Sequence, residues 1–381
     1  MRPIRLMYLI LLSALIVAAC GTPNSVQIPV TQGATLPAPT IAAPLIAVPG
    51  LASIQMIDAR NGWGITDTTV VRSDDGGVSW HKVGPAAVTS LGFSATSDFL
   101  DALHGWFLIS DTKNPAVGML YWTSDGGVTW TSAVVPFGSG DLHFLDANKG
   151  WIMASLGAAA GSMGVAIFQT TDGGKTWTQT YTNVPTDPGA GSSLPLGGLK
   201  DGMSAVDMQT AFIGGVTYTP GSIYLYKTLD AGHSWNPITV QVPVGYEQAD
   251  YETIGPKFVT AKDAYLPVHV SSQNGVVLAI YVSHDGGATW VLTPTMIPLG
   301  GSMVFVSATE GFVWNGTAFY VTHDGAHSWM TVPPDVAFGD NFAGMDFVSP
   351  TTGFVLTNDV TGARNLYTTN DGGATWIALG K

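Results

Sequence analysis

Seven octamers constrain this chain more than any other feature: SDDGGVSW ending at Trp80, TSDGGVTW at Trp130, TTDGGKTW at Trp177, TLDAGHSW at Trp235, SHDGGATW at Trp290, THDGAHSW at Trp329 and TNDGGATW at Trp376. Their tryptophans lie 50, 47, 58, 55, 39 and 47 residues apart, a period that fits one supersecondary unit per repeat. A second element recurs upstream of the octamers: a short apolar strand, a polar turn, then Gly or Ala followed by an aromatic. It reads IQMIDARNGWGIT from Ile54, LHFLDANKGWIMAS from Leu142, AVDMQTAFIGG from Ala205, KFVTAKDAYLPV from Lys257, MVFVSATEGFVWN from Met303 and MDFVSPTTGFVLT from Met345. In the second unit the strand is expected near Leu91–Phe93, with a longer polar connection before GWFLIS at Gly105.

Each unit therefore predicts four short strands, A before the polar turn, B at the Gly-aromatic pair, C before the octamer and D from its tryptophan. In the first unit these fall near 52–57, 62–66, 69–73 and 80–84. Seven such units set radially bury both faces of every sheet against a neighbour. The expected fold is all-β, a seven-bladed β-propeller of four-stranded antiparallel blades over 51–381. With 46% hydrophobic and 11% charged residues the chain is too apolar for disorder, and its 47 glycines argue against long helices. The chain is expected either to complete its last blade with its own strand near Trp376 or to use the apolar piece PLIAVPG at 44–50 at the seam.

Every residue type in the octamer has a structural use. An Asp carboxylate can accept backbone N–H groups a few residues onward and close a tight turn. Gly permits positive φ, the flanking Ser or Thr hydroxyls tie the ends, and the Trp ring is expected to bury between units. Asp75, Asp125, Asp172, Asp230, Asp285, Asp324 and Asp371, with Trp80, Trp130, Trp177, Trp235, Trp290, Trp329 and Trp376, are read as structural. A calcium site needs several oxygens around one ion, and one carboxylate per separate turn does not supply them; no metal or cofactor is expected. The sixth copy carries Ala326 in place of glycine, so its turn is expected to be altered or strained.

The amino terminus, MRPIRLMYLILLSALIVAAC, places Arg2 and Arg5 before an apolar run and ends on the sole cysteine, Cys20. This is the layout of a secretory leader. It resembles the bacterial lipoprotein signal, which implies a signal peptide over 1–19, lipid on Cys20 and residence on the outer side of the cytoplasmic membrane. Residues 20–50 mix Pro, Thr, Ala and Gly and read as the lipidated cysteine followed by a flexible linker. A lone cysteine leaves no internal disulfide. The net charge of −13 argues against nucleic acid as a partner.

The octamers match the Asp-box, or BNR repeat, S/T-x-D-x-G-x-S/T-W, of sialidases, sortilin-type propellers, xyloglucanases and photosystem II assembly propellers. The chain most resembles the photosystem II stability and assembly factor type, as FLDANKGWIMAS with TTDGGKTW and NGWGIT with SDDGGVSW show. That resemblance covers about 50–381 and implies a propeller that contacts a protein partner. Family members that assist photosystem assembly use an arginine patch, whereas beyond the leader this chain has only Arg60, Arg72 and Arg364.

A sialidase-like site requires three convergent arginines, a Tyr nucleophile paired with Glu and an acid. Arg60 falls in an A–B turn and Arg72 abuts the first octamer. Glycoside hydrolysis in general requires two opposed carboxylates, and the only glutamates are Glu247, Glu252 and Glu310, the last in an A–B turn. His81, His233, His284, His323 and His327 lie in or beside octamers and read as turn or edge residues. No catalytic residue is assigned.

Octamers and A–B turns are expected on one face, and the B–C and D–A connections on the other. The long connections 183–202, 237–257, 111–118 and 155–164 all fall on that second face, where binding residues are commonly carried. Tyr246, Glu247, Asp250, Tyr251 and Glu252 form the densest aromatic and acidic cluster, with Tyr218 on a neighbouring loop. The reading is a non-catalytic, membrane-anchored scaffold that binds a protein there; the alternative is a surface protein of the sialidase-like superfamily that binds or cleaves a glycan.

Overall fold

The computed structural model describes residues 43–46, 49–91 and 95–380. Cys20, the leader and most of the linker lie outside the described residues. These residues form an all-β architecture of six sheets, mostly of four antiparallel strands. The first sheet pairs Leu51–Met56, Gly62–Thr66, Val70–Ser73 and Trp80–Lys82 in chain order. Leu45–Ile46 adds a fifth strand outside Trp80–Lys82, with Leu45 opposite His81 and Ile46 opposite Trp80. The last sheet, Phe342–Phe347 to Ile377–Leu379, completes itself.

Two expectations fail at the sheet level. In the second sheet the A strand is Thr96–Phe99, paired with Gly105–Ser110, so the strand expected near Leu91 and the longer connection after it are wrong. Residues 92–94 lie outside the described residues, and Leu91 is buried under the neighbouring sheets. The polar segment TSDF carries Asp98, whose carboxylate accepts a backbone amide of the next sheet. The separation into independent four-stranded sheets also breaks once. The runs Leu199–Ala205 to Asn236–Pro237 and Lys257–Phe258 to Val291–Leu292, with Ile297–Pro298 paired to Gly275–Ser283, are joined into one ten-stranded sheet. Asp250–Glu252 joins them, pairing Val216 on one side and Val270 and its neighbours on the other.

The Gly-aromatic pair explains how one sheet packs on the next. A Cβ on Gly105 would stand 2.5 Å from the Phe99 ring, and one on Gly311 2.5 Å from Phe305. Glycine thus lets the last apolar side chain of the A strand lie over the B strand. The aromatic that follows glycine or alanine then stacks on the last A-strand ring of the next unit: Trp106 on Phe144 at 3.7 Å, Tyr265 on Phe305 at 3.4 Å and Phe312 on Phe347 at 3.7 Å. Each such pair contributes roughly 0.5–1.5 kcal/mol beyond the area it buries. Trp63 and Trp151 also donate their indole N–H to the next unit's A–B turn, at Asp101 and Asp207. Buried polar tips are thereby satisfied by the neighbour.

The A strands are stitched to one another by polar side chains. Gln55 exchanges two hydrogen bonds with the backbone of Phe99. Asp98 accepts the amide of Phe144, Asp141 that of Met203, and Asp346 that of Met56. The last contact joins the final sheet to the first, where Leu51, Trp80, Phe354 and Leu366 share one apolar cluster.

Candidate functional site

The seven octamers fold alike. The leading Ser or Thr hydroxyl donates to the aspartate at 2.8–2.9 Å and accepts the amide of the fifth residue at 2.8–3.1 Å. The same carboxylate accepts the amide of the seventh residue at 2.9 Å and its hydroxyl at 2.6–2.7 Å. The first glycine, replaced by Ala231 in the fourth copy, donates to an A–B turn carbonyl at 2.8–3.1 Å. Octamers and A–B turns therefore share one face, held by their own bonds.

The sixth turn is not altered. Ala326 adopts φ 70° and its amide still reaches Thr322, so the deviation is held as backbone strain. Ala231 does the same at φ 60°, a strain that the sequence reading passed over. The tryptophans divide: Trp80, Trp177, Trp235 and Trp376 donate to their own turn's carbonyl and Trp130 to Val83, while Trp290 and Trp329 bury an N–H without a partner.

Two populations of aspartate result. Hydrogen bonds from the Ser or Thr side chain and backbone hold Asp324 and Asp371 at about 2, below the ordinary carboxylate value, and lower Asp285 further. On the A strands the sign reverses. Burial raises Asp98, Asp141 and Asp346, against the single amide each accepts, and takes Asp346 to about 6. His143 on the same strand as Asp141 opposes the rise at Asp98 and Asp141, as does Lys257 at Asp141. The sequence reading passed over this A-strand set. For Asp98 and Asp346 the signal was an acid immediately before the last apolar residue of the strand, in SDF and MDF, a pattern that Asp141 in GDLHF does not share.

The three arginines do not converge. Arg60 lies in an exposed turn with its Nε on the Asp74 carbonyl, and Arg364 pairs with Asp67 at 2.9 Å. Arg72 is fully buried beside Trp63, its guanidinium without a hydrogen-bond partner. Glu310 pairs with His323 at 2.5 Å and Asp263 with His284 at 2.8 Å, each across an A–B turn and an octamer. Among the described residues no three His, Cys, Asp or Glu side chains are grouped to hold a metal ion.

The opposite face carries the connections, though not all as loops. The segment 155–164, expected as an extended connection, is instead the end of a long hairpin, Gly150–Ala159 with Ser162–Thr170. Positive φ at Ala160 and Gly161 makes the two-residue turn that such hairpins favour. The connection after Thr182 folds back on its own sheet. Asn183 accepts the Val165 amide and donates to Met163 and Pro195, and the Tyr181 hydroxyl accepts the Leu194 amide.

The 245–252 cluster divides by burial. Glu247, Asp250 and Glu252 are exposed and Tyr246 is half-buried. Tyr251 is buried, packs in the core between the joined runs and donates its hydroxyl to the Tyr246 carbonyl at 2.7 Å. Tyr218 is exposed on the loop after Val216, and that loop is tied to the cluster where Gly221 donates to the Ala249 carbonyl at 3.0 Å. The fold thus brings the two expected loops together.

No protein-family profile and no curated protein sequence matches the chain. Solved structures do. YCF48 bound to D1 peptide aligns with a TM-score of 0.55 and 17% identity over 86% of this chain and 96% of that one. A polysaccharide lyase of family PL25, an ulvan lyase, aligns at 0.52 and 9% identity over 85% and 92%. A prolyl endopeptidase aligns at 0.52 and 10% identity over 86% of this chain and 49% of its own. At these identities the likeness is one of fold, a propeller-like all-β architecture shared by proteins with and without catalytic activity.

Proposed function

We propose that the chain is a seven-bladed Asp-box propeller, held by lipid on Cys20 at the outer side of the cytoplasmic membrane, that binds a protein partner and catalyses no reaction of its own. On this reading 1–19 is the signal peptide, 20–50 the lipidated cysteine and linker, and 51–381 the propeller. Each of the two runs in the ten-stranded sheet then counts as one blade. The observation that carries the binding reading is the junction of the Tyr218 loop with the 245–252 loop. It gathers exposed Tyr218, Glu247, Asp250 and Glu252, with half-buried Tyr246, on a rigid base. Tyr251 serves by holding the loop. The solved structure of YCF48 with a peptide supports this choice of ligand class.

The test is proximity crosslinking of the full chain in its native membrane, wild type against a variant with 245–252 replaced by Gly and Ser. A protein crosslinked only when the loop is intact is the expected result. The same partners recovered without the loop would overturn the assignment of this face. Glycan hydrolysis lost on replacing the loop would favour the glycan reading.

A further inference from the structure

Beside that loop junction lies a cleft of about 470 Å³, between the hairpin tip at Gly161, the segment Pro195–Gly198 and the loop from Thr217 to Tyr224. Three features make it a built site. Tyr218 is 64% exposed, yet its ring rests on Gly161, where a Cβ would come within 2.8 Å. The ring is thereby held as a platform at the mouth. Tyr224 lines the cleft as a largely buried ring, 5% exposed, whose sealed hydroxyl has no hydrogen-bond partner. The third side is fixed from beneath by Lys200, whose ammonium donates to the carbonyls of Leu196, Gly197 and Gly198 at 2.9–3.2 Å.

Strand pairing adds an open edge. In the second sheet the D strand covers the C strand from Gly118 to Trp122. Here the D strand is only Asn236–Pro237, opposite Tyr226 and Lys227, and Ile238 makes the last bond to the Leu225 carbonyl. The C strand begins at Tyr224, and Tyr224 and the preceding Ile223 line the cleft with no D-strand residue paired to either. Such an edge accepts an extended backbone.

No charged side chain lines the cleft, but acids border it. Gly221 ties the cleft loop to Ala249, immediately before the strand bearing Asp250 and Glu252, and Glu252 adds to the rise that burial imposes on Asp201 beside Lys200. We propose that this cleft seats one apolar or aromatic side chain of an extended peptide whose adjacent residues are basic. The tyrosine walls and the uncharged lining select the anchor, the open edge its backbone, and the acidic border its flanking charge. A neutral sugar would use the tyrosines but not the edge or the acids. The inference rests on the protein-binding reading and narrows it to one site and one peptide chemistry.

The test is selection of a random decapeptide phage library on the purified full chain, in parallel on Tyr218→Ala and on Thr219→Trp, which fills the cleft from an exposed position. Retained melting temperature establishes that both variants fold. Expected is a consensus with Phe, Tyr, Leu or Met flanked by Lys or Arg, and at least tenfold weaker binding of the selected peptide by either variant. Glu247→Gln with Asp250→Asn should weaken binding of the basic peptide severalfold while leaving its anchor preference. Equal enrichment on Tyr218→Ala, a consensus without an anchor, an acidic consensus or no enrichment overturns the proposal. So does Tyr218-dependent binding on a neutral glycan array with no peptide selected. If the cleft fails while loop-dependent crosslinking in the membrane persists, the protein-binding reading stands without this site. Success here with no crosslinked partner leaves the cleft and removes the scaffold reading.

Discussion

The aspartates of the octamers and those of the A strands are the same residue placed under opposite conditions. In the octamer, one carboxylate collects four donors from its own turn, counting the Thr123 and Thr129 hydroxyls and the Thr129 amide at Asp125 among them. On the A strand, Asp346 accepts one amide from another sheet and loses its water. Local donors stabilise the anion, and burial against one distant donor destabilises it. A repeat therefore uses its acids in two ways, one to fold each unit and one to align neighbouring units.

Removing an octamer carboxylate has the largest expected effect. Asp125→Ala leaves the Thr129 amide and two hydroxyls without their acceptor and should cost about 2–3 kcal/mol in chemical denaturation. A loss below about 0.5 kcal/mol would mean that the turn is held by its glycines alone. Asp346→Asn should act in the opposite direction. The amide oxygen can still accept the Met56 amide while the buried charge is gone, so stability at pH 7 should rise by about 1–2 kcal/mol after allowance for solvent screening. If Asp346→Asn instead lowers stability at pH 7, the anion itself is needed.

The pH dependence separates the two populations without mutation. Asp346 is protonated more readily folded than unfolded, so its favourable contribution is complete below about pH 4 and is lost as pH rises through about 6. Asp324 and Asp371 contribute above the unfolded carboxylate value and lose that contribution as pH falls towards about 2. Denaturation midpoints between pH 2 and 8 should therefore decline on both sides of about pH 4–5, and Asp346→Asn should flatten only the upper limb. The smallest effect is expected at Ala326→Gly. It relieves positive φ in a buried turn whose carboxylate bonds are already intact, so a gain of about 0.5 kcal/mol follows. No gain would place the turn's conformational preference in the carboxylate bonds.

The sequence showed the repeat clearly because its octamer is a local machine: each bond within Ser73 to Ser79 is made among residues close in the chain. The A strands were less legible. Thr96–Phe99 reads as polar because its acid answers Phe144, 46 residues away, and no local pattern announces a distant amide. Asp250–Glu252 was noticed for its charge and missed as a strand, since its partners Val216 and Val270 belong to two different runs. The cleft was hidden for a related reason. It needs Gly161, Gly198 and Tyr224 from three segments, and an outer strand cut short at Pro237. Tyr218 and the acidic loop were legible by composition, while their junction at Gly221 and Ala249 was not.

The fifth strand of the first sheet has a mechanical consequence. Leu45–Ile46 meets His81 and Trp80 through two residue pairs, extended by the Pro44 and Ala43 carbonyls on the Lys82 amide and the His81 ring, so a pull on the amino end of the chain encounters this short ladder before any four-stranded sheet. Such a load is relieved first by peeling Leu45–Ile46 away from Trp80 and His81, while the Gly50 carbonyl is still held by Arg364. Trp80–Lys82 stays paired with Val70–Ser73 meanwhile. Tension on the lead is thus spent on this ladder before it can distort the octamers.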